Sequence, residues 1–110
     1  MPEFIKSLSL FLIAAVCELS GAYFVWLWQR EGKSPLLALL GLAALFIYSL
    51  VQTNQAFGFG RTFAAYGGIF IASAMLWGWL IEKRAPDSWD LLGAGVCLLG
   101  AAIILLAPRT

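Results

Sequence analysis

The sequence has no histidine, only two cysteines and only 12% charged residues, and each shortage removes a class of function. Without histidine, the usual neutral-pH acid–base group and metal ligand is missing, and two cysteines are too few to close a zinc site. Lys plus Arg number seven and Asp plus Glu six, so no basic surface awaits a nucleic acid. The charged share is about half of the roughly 25% found in soluble domains. A chain of 110 residues has a large surface for its volume, and this one lacks the polar side chains to wet it. An ordinary soluble enzyme or binding domain is excluded.

What fills the chain is apolar, at 62% of residues. A helical membrane crossing takes about 20 mostly apolar residues, with roughly 17 to 25 tolerated. Four such segments, approximately 8–28, 35–51, 62–81 and 89–107, use nearly the whole length and predict one all-α, four-helix transmembrane domain. The first stops at the polar group Gln29 to Lys33. Ser34 is placed to cap the second, with Pro35 at its first helical position. A polar, glycine-containing stretch from Gln52 to Arg61 follows it. Glu82, Lys83 and Arg84 end the third, Pro86 blocks continuation, Asp87 or Ser88 can cap the fourth, and Pro108 stops it. Lys6, the apolar run 8–16 and Cys17 have the outline of a signal or lipoprotein peptide. Val16 is bulky where a small residue should stand and the apolar pattern continues to Trp28, so the segment reads as a span. Cys17 and Cys97 fall mid-span, where thiols act as small apolar groups.

Divided by membrane face, the charges carry a topology argument. The N-terminal side, side A, holds Lys6, Arg61 and Arg109, and side B holds Arg30, Lys33, Lys83 and Arg84. Three against four gives the positive-inside rule almost nothing to act on. Insertion in both orientations, with oppositely inserted copies pairing, is the expectation. All five tryptophans (Trp26, Trp28, Trp77, Trp79, Trp89) sit at side-B ends of spans, so an antiparallel dimer would put a tryptophan belt on each face.

Glu18 is the one ionisable residue read as lying inside a span rather than at its end. Counted from Leu8 it lies about 15 Å deep at ~1.5 Å per residue, close to the midplane of a core ~30 Å thick. A charge there costs at least about 2.5 to 3.5 kcal/mol, so it is functional by default. Ala14, Ala15, Gly21 and Ala22, three and four residues away, leave space around it. At the midplane a residue of an antiparallel pair can meet its own copy. A cation and a proton competing for such a site, with access alternating between faces, gives exchange transport.

Other patterns fit packed, mobile helices. Ala64, Gly68 and Ala72 form a small-residue ridge, and Gly67 with Gly68 permits a bend. Gly93, Cys97, Gly100 and Ala101 share a face of the fourth span as a packing or dimer seam. Tyr66 can offer a ring face to a cation, as can Tyr23, Tyr48 and Trp77, for which interfacial or core packing is the stronger reading. Tyr66 lies about 7.5 Å inside Arg61, which reads as an interface anchor. The GFGRTF segment mimics a dinucleotide fingerprint, but Phe63 replaces the third glycine and no βαβ context exists.

The segments CELSGAYFVWLW (Cys17 to Trp28), GRTFAAYGGIFIASAMLW (Gly60 to Trp77) and GAGVCLLGAAIILL (Gly93 to Leu106) resemble the YnfA-like family of small bacterial inner-membrane proteins. That family looks like a relative of the small multidrug resistance transporters, which are four-helix, antiparallel homodimeric proton antiporters of lipophilic cations. Under this resemblance, Glu18 in ELSG is similar to their shared proton and substrate glutamate, with Gly21 three residues on. Tyr66 takes the place of an aromatic that is tryptophan in many of them. Gly68 looks like their third-helix glycine, and Gly93 with Gly100 resembles their fourth-helix dimer motif. Phe63 departs from the pattern, standing at a possible cavity position where a substrate-site tyrosine is common, and no residue is assigned to their second-helix tyrosine.

The resulting expectation is a multi-pass inner-membrane antiporter exporting small or lipophilic cations, with paired Glu18 and Tyr66 at the shared site. Its partners are a second copy of itself, the lipid bilayer, protons and small organic cations; it needs no cofactor, metal or nucleic acid. Polyaromatic cations, quaternary ammoniums and guanidinium-like compounds all fit. The rival expectation is a non-transporting structural or accessory membrane subunit. A lone carboxyl without a histidine, a serine dyad or a metal pair offers an enzyme little chemistry.

Overall fold

The computed structural model describes residues 2–108, which form four helices joined by short connections. These are α1 (Pro2–Glu31), α2 (Leu36–Gln52), α3 (Phe59–Leu80) and α4 (Ser88–Leu106). Arg109, one of the side-A charges, lies outside the described residues. Helices α1, α3 and α4 are long and apolar enough to cross a membrane, and α2 is a shorter apolar helix of 17 residues.

Two helix starts differ from the sequence expectation for one physical reason. The span rule locates the hydrocarbon-length apolar run, whereas backbone hydrogen bonding carries a helix past it into the interface. Helix α1 therefore has 30 residues, about 45 Å at ~1.5 Å per residue, and includes Glu3, Lys6, Gln29 and Arg30. Helix α3 starts at Phe59 behind extended Gly58, so Arg61 stands in its first turn rather than in a loop. Helix α2 keeps Gln52 as its last residue, where the sequence reading opens a polar loop.

The ends are built from local chemistry. Ser34 Oγ accepts the Leu36 N–H at 3.2 Å, which anchors the entry to α2 through Pro35. Asp87 and Asp90 form a reciprocal capping box on α4: Asp90 N–H donates to Asp87 at 2.8 Å, and Asp87 N–H donates to Asp90 at 3.1 Å. Each satisfies an amide that the helix start leaves unpaired. Gly32 ends α1 in the left-handed region, at φ 69°, and Lys33 N–H then reaches back to the Leu27 carbonyl at 3.1 Å. Past α3 the same closure recurs with Lys83 at φ 62° and Arg84 N–H on the Gly78 carbonyl at 2.9 Å. There a lysine side chain occupies a conformation that suits glycine.

Helix α1 packs along α2, α3 packs along α4, and α1 meets α3 over a shorter stretch, so the bundle is two helix pairs joined through α1 and α3. Glycines set the closest approaches. A Cβ on Gly21 would stand 2.8 Å from the Gly41 carbonyl, and one on Gly41 would stand 2.5 Å from the Gly21 carbonyl, so the α1–α2 crossing admits no side chain on either. On the other pair, a Cβ on Gly68 would overlap the Cys97 carbonyl and press on Ala101. The core is small and sits at the centre: Phe11, Ala14 and Ala15 from α1, Ala65, Tyr66 and Ile69 from α3, and Ala101 from α4. Large apolar side chains such as Leu42, Phe46, Leu92, Val96 and Ile103 point outward. This inversion of the soluble pattern needs no correction when the solvent is lipid.

Candidate functional site

Glu18 lies in the middle of α1, and the α1–α3 contact brings Tyr66 to it from 48 residues away. The Tyr66 hydroxyl donates a hydrogen bond to Glu18 Oε1 at 2.8 Å. Tyr66 is 4% exposed, so its hydroxyl has left water and Glu18 is the acceptor that satisfies it. Glu18 itself is half-buried. Ala14 and Ala15 beneath it are buried, and Gly21 above it admits α2, so these three small residues are packing surfaces, whereas Ala22 is exposed.

Tyr66 is the hub of an aromatic cluster. Its ring centroid lies 5.8 Å from Phe11, 5.8 Å from Tyr48, 6.2 Å from Phe63 and 5.6 Å from Phe70. Phe63 continues the cluster toward side A, edge-on to Tyr48 at 6.4 Å and against Phe59 at 4.7 Å. The rings thus run from the side-A end of α3 inward to the carboxylate. Ring faces in a poorly hydrated setting attract cations, and a carboxyl group stands at the inner end.

The sequence-derived aromatics divide into two groups. Tyr48, Phe63 and Tyr66 gather with Glu18. Tyr23 and Trp77 instead pair with each other, edge to face at 5.7 Å, on the side-B half of α1 and α3. Near the same end Arg30 lies over the Trp26 ring at 4.6 Å. Arg61 is exposed in the first turn of α3. Of the paired glycines, Gly68 makes the close approach to α4 and Gly67 has open space beside it, within an unbroken α3. The small-residue face of α4 is also divided: Cys97 and Ala101 meet Gly68, whereas a methyl group on Gly93 or Gly100 would meet nothing within 4 Å. Cys17 and Cys97 are free thiols.

Three participants escape sequence reading. Phe11 and Phe70 join the cluster, but inside apolar runs no local signal separates them from lipid-facing neighbours. Gln52 is the third. It is 5% exposed, and neither its amide oxygen nor its amide nitrogen makes a hydrogen bond among the described residues. Tyr48, whose ring packs on Phe63 and Tyr66, lies one turn earlier on α2. Gln52 also lines a cavity of about 400 Å³ at the side-A end, with Ser49, Phe57, Phe59, Thr62 and Phe63 among its walls. A neighbouring cavity of about 460 Å³ lies between the start of α1, the α2–α3 connection and the end of α4. Gln55 borders both and donates from Nε2 to the Ser7 carbonyl at 3.0 Å.

Comparison with known proteins agrees with the residues on which the resemblance rests. The family model described as "Uncharacterised BCR, YnfA/UPF0060 family" matches residues 4–110. The UPF0060 membrane protein BH2744 of Halalkalibacterium halodurans is 50% identical over 106 residues, covering 96% of this chain and 98% of that protein. UPF0060 membrane protein YfjF of Bacillus subtilis is 48% identical, over 91% of this chain and 93% of its own length. UPF0060 membrane protein PCC8801_1733 of Rippkaea orientalis is 45% identical, over 94% of this chain and 95% of its own. No solved structure matches the chain. With full-length likeness to membrane proteins of one family and a bundle of apolar helices to match, the chain belongs to the YnfA/UPF0060 family of small bacterial membrane proteins.

Proposed function

We propose that this chain is one half of an antiparallel homodimer in the bacterial inner membrane that exchanges protons for small organic cations at Glu18. The observation that carries the reading is the Tyr66–Glu18 hydrogen bond at the inner end of an aromatic path, within a bundle of apolar helices. A lone carboxyl at that depth is costly to keep without a task. Tyr66 holds it in one rotamer through a directed donor, and the surrounding rings suit an organic cation better than a hydrated metal ion. A cation arriving at the carboxylate displaces its proton, and a proton arriving from the other side displaces the cation. Differential affinity of the two open states does the rest.

Helix α2, at 17 residues, meets the lower limit of about 17 for a crossing and supplies the fourth span. Four spans enclose little on their own, which favours a pair. The near-equal division of Lys and Arg between faces supports insertion both ways. The resemblance to small multidrug resistance transporters points in the same direction.

Purified protein should release protons when lipophilic or guanidinium-type cations are added, and Glu18→Gln should abolish that release while assembly persists. Release retained in Glu18→Gln would sink the proposal and leave the accessory-subunit reading, in which helix packing matters and the carboxylate does not. A C-terminal reporter should be accessible from both membrane faces; signal from one face alone ends dual insertion.

A further inference from the structure

We infer that the cavity of about 400 Å³ at the side-A end is an entry subsite for the cation, and that Gln52 selects there for cations bearing N–H groups over fully alkylated ones. The inference rests on the exchange reading above and narrows its substrate class to guanidinium-type ions and primary or secondary ammoniums.

Three observations meet at this place. The first is the Gln52 amide, withdrawn from solvent with neither atom hydrogen-bonded among the described residues. Buried polar groups almost always find partners, and one that does not leaves a desolvation cost that a suitable ligand removes on binding. The amide oxygen is an acceptor, so the group that satisfies it must donate. A guanidinium or a protonated amine has N–H groups to give, and a quaternary ammonium has none.

The second observation is the wall. Phe57, Phe59 and Phe63 line the cavity beside Gln52, and the residues lining it include no ionisable side chain. Ring faces attract the charge weakly, while the amide adds a hydrogen-bonded contact. A cation pauses there without being trapped, because the countercharge lies further in.

The third is continuity. Phe63, on the cavity wall, is 6.4 Å from Tyr48 and 6.2 Å from Tyr66, and Tyr66 is hydrogen-bonded to Glu18. The chain of groups therefore leads from a neutral selecting amide at the face to a charged retaining site at depth. Its volume places the cavity at the small end of ligand pockets, which run roughly 300–1,000 Å³.

The test uses phenylguanidinium and phenyltrimethylammonium, which share a ring and a charge and differ in N–H groups. The readout is the concentration of each that gives half-maximal proton release from the purified protein. Wild type should respond to phenylguanidinium at about tenfold lower concentration or less, as expected when one analogue leaves a buried polar group unpaired. Gln52→Met keeps the side-chain length and drops both amide atoms, and should bring the ratio close to one. Gln52→Asn, which keeps the amide on a shorter stem, should retain part of it. Equal responses in wild type, or an unchanged ratio in Gln52→Met, overturn the inference while leaving Glu18-dependent exchange intact. If Gln52→Met fails to fold, the wild-type ratio and Gln52→Asn still decide. Absence of release with either cation, or release that survives Glu18→Gln, removes the exchange reading and this inference with it.

Discussion

Glu18 and Tyr66 take different parts in their hydrogen bond: one supplies the carboxyl acceptor, the other a single directed donor. The Tyr66→Phe variant separates these, because it keeps the ring and its 5.6–6.2 Å neighbours and deletes only the donor. A hydrogen bond to a charged partner is worth about 1.5–3 kcal/mol, so at neutral pH the cation should release protons only at roughly tenfold or higher concentration. Titrating proton release against cation concentration checks this, and an unaltered curve would mean that the hydroxyl plays no part. Glu18 is legible in sequence because an ionisable residue in a long apolar run has no ordinary structural use. Tyr66 is legible from its depth beyond Arg61. Gln52 is not, because Gln, Thr, Asn and Gln in succession at positions 52–55 look like the solvated connection that three of them belong to. Its burial comes from tertiary packing; the spacing of four from Tyr48 is the one hint the chain offers.

At the scale of the element, helix existence follows from apolar run length, and helix ends follow from local chemistry that a hydropathy reading blurs. The α4 cap is visible in Asp87 with Asp90 three residues on, and Gly32 marks the close of α1. The overrun of α1 is not visible, since charged residues at an interface neither end a helix nor extend one. Lys83 is the exception among the ends, a lysine at φ 62° doing at α3 what Gly32 does at α1. Lys83→Gly should therefore stabilise the protein by about 1 kcal/mol, the left-handed penalty of a side chain, read as a higher midpoint of thermal unfolding in detergent. The glycine pattern is only half legible. Spacing of four identifies Gly68 as a packing residue, but its partner could be any helix. The Gly21–Gly41 crossing joins two glycines whose own spans show no shared repeat.

For the molecule as a whole, on the pairing proposed above, the distribution of glycine separates what holds one chain together from what is left for a second copy. The space beside Gly68 is filled by α4 of the same chain, whereas a methyl group on Gly93 or Gly100 would enter open space. Gly68→Leu should unfold the chain. Gly100→Leu, alone or with Gly93→Leu, should leave the folded monomer intact and reduce the cross-linked dimer several-fold in membranes, since close helix approach needs small residues. A dimer band that survives both glycine replacements would move the seam elsewhere.

The two helix pairs meet through α1 and α3, and the Tyr66–Glu18 hydrogen bond lies across that meeting. On the exchange reading proposed above, occupancy of the carboxylate and the relative placement of the pairs are one thermodynamic quantity seen from two ends. By reciprocity, whatever a bound cation does to the angle between the pairs, a change in that angle does to the cation's affinity with the same coupling free energy. On that reading, bilayer thickness and lateral pressure, by acting on the angle between the pairs, should shift the cation's affinity, which would make the surrounding lipid an effector of the site.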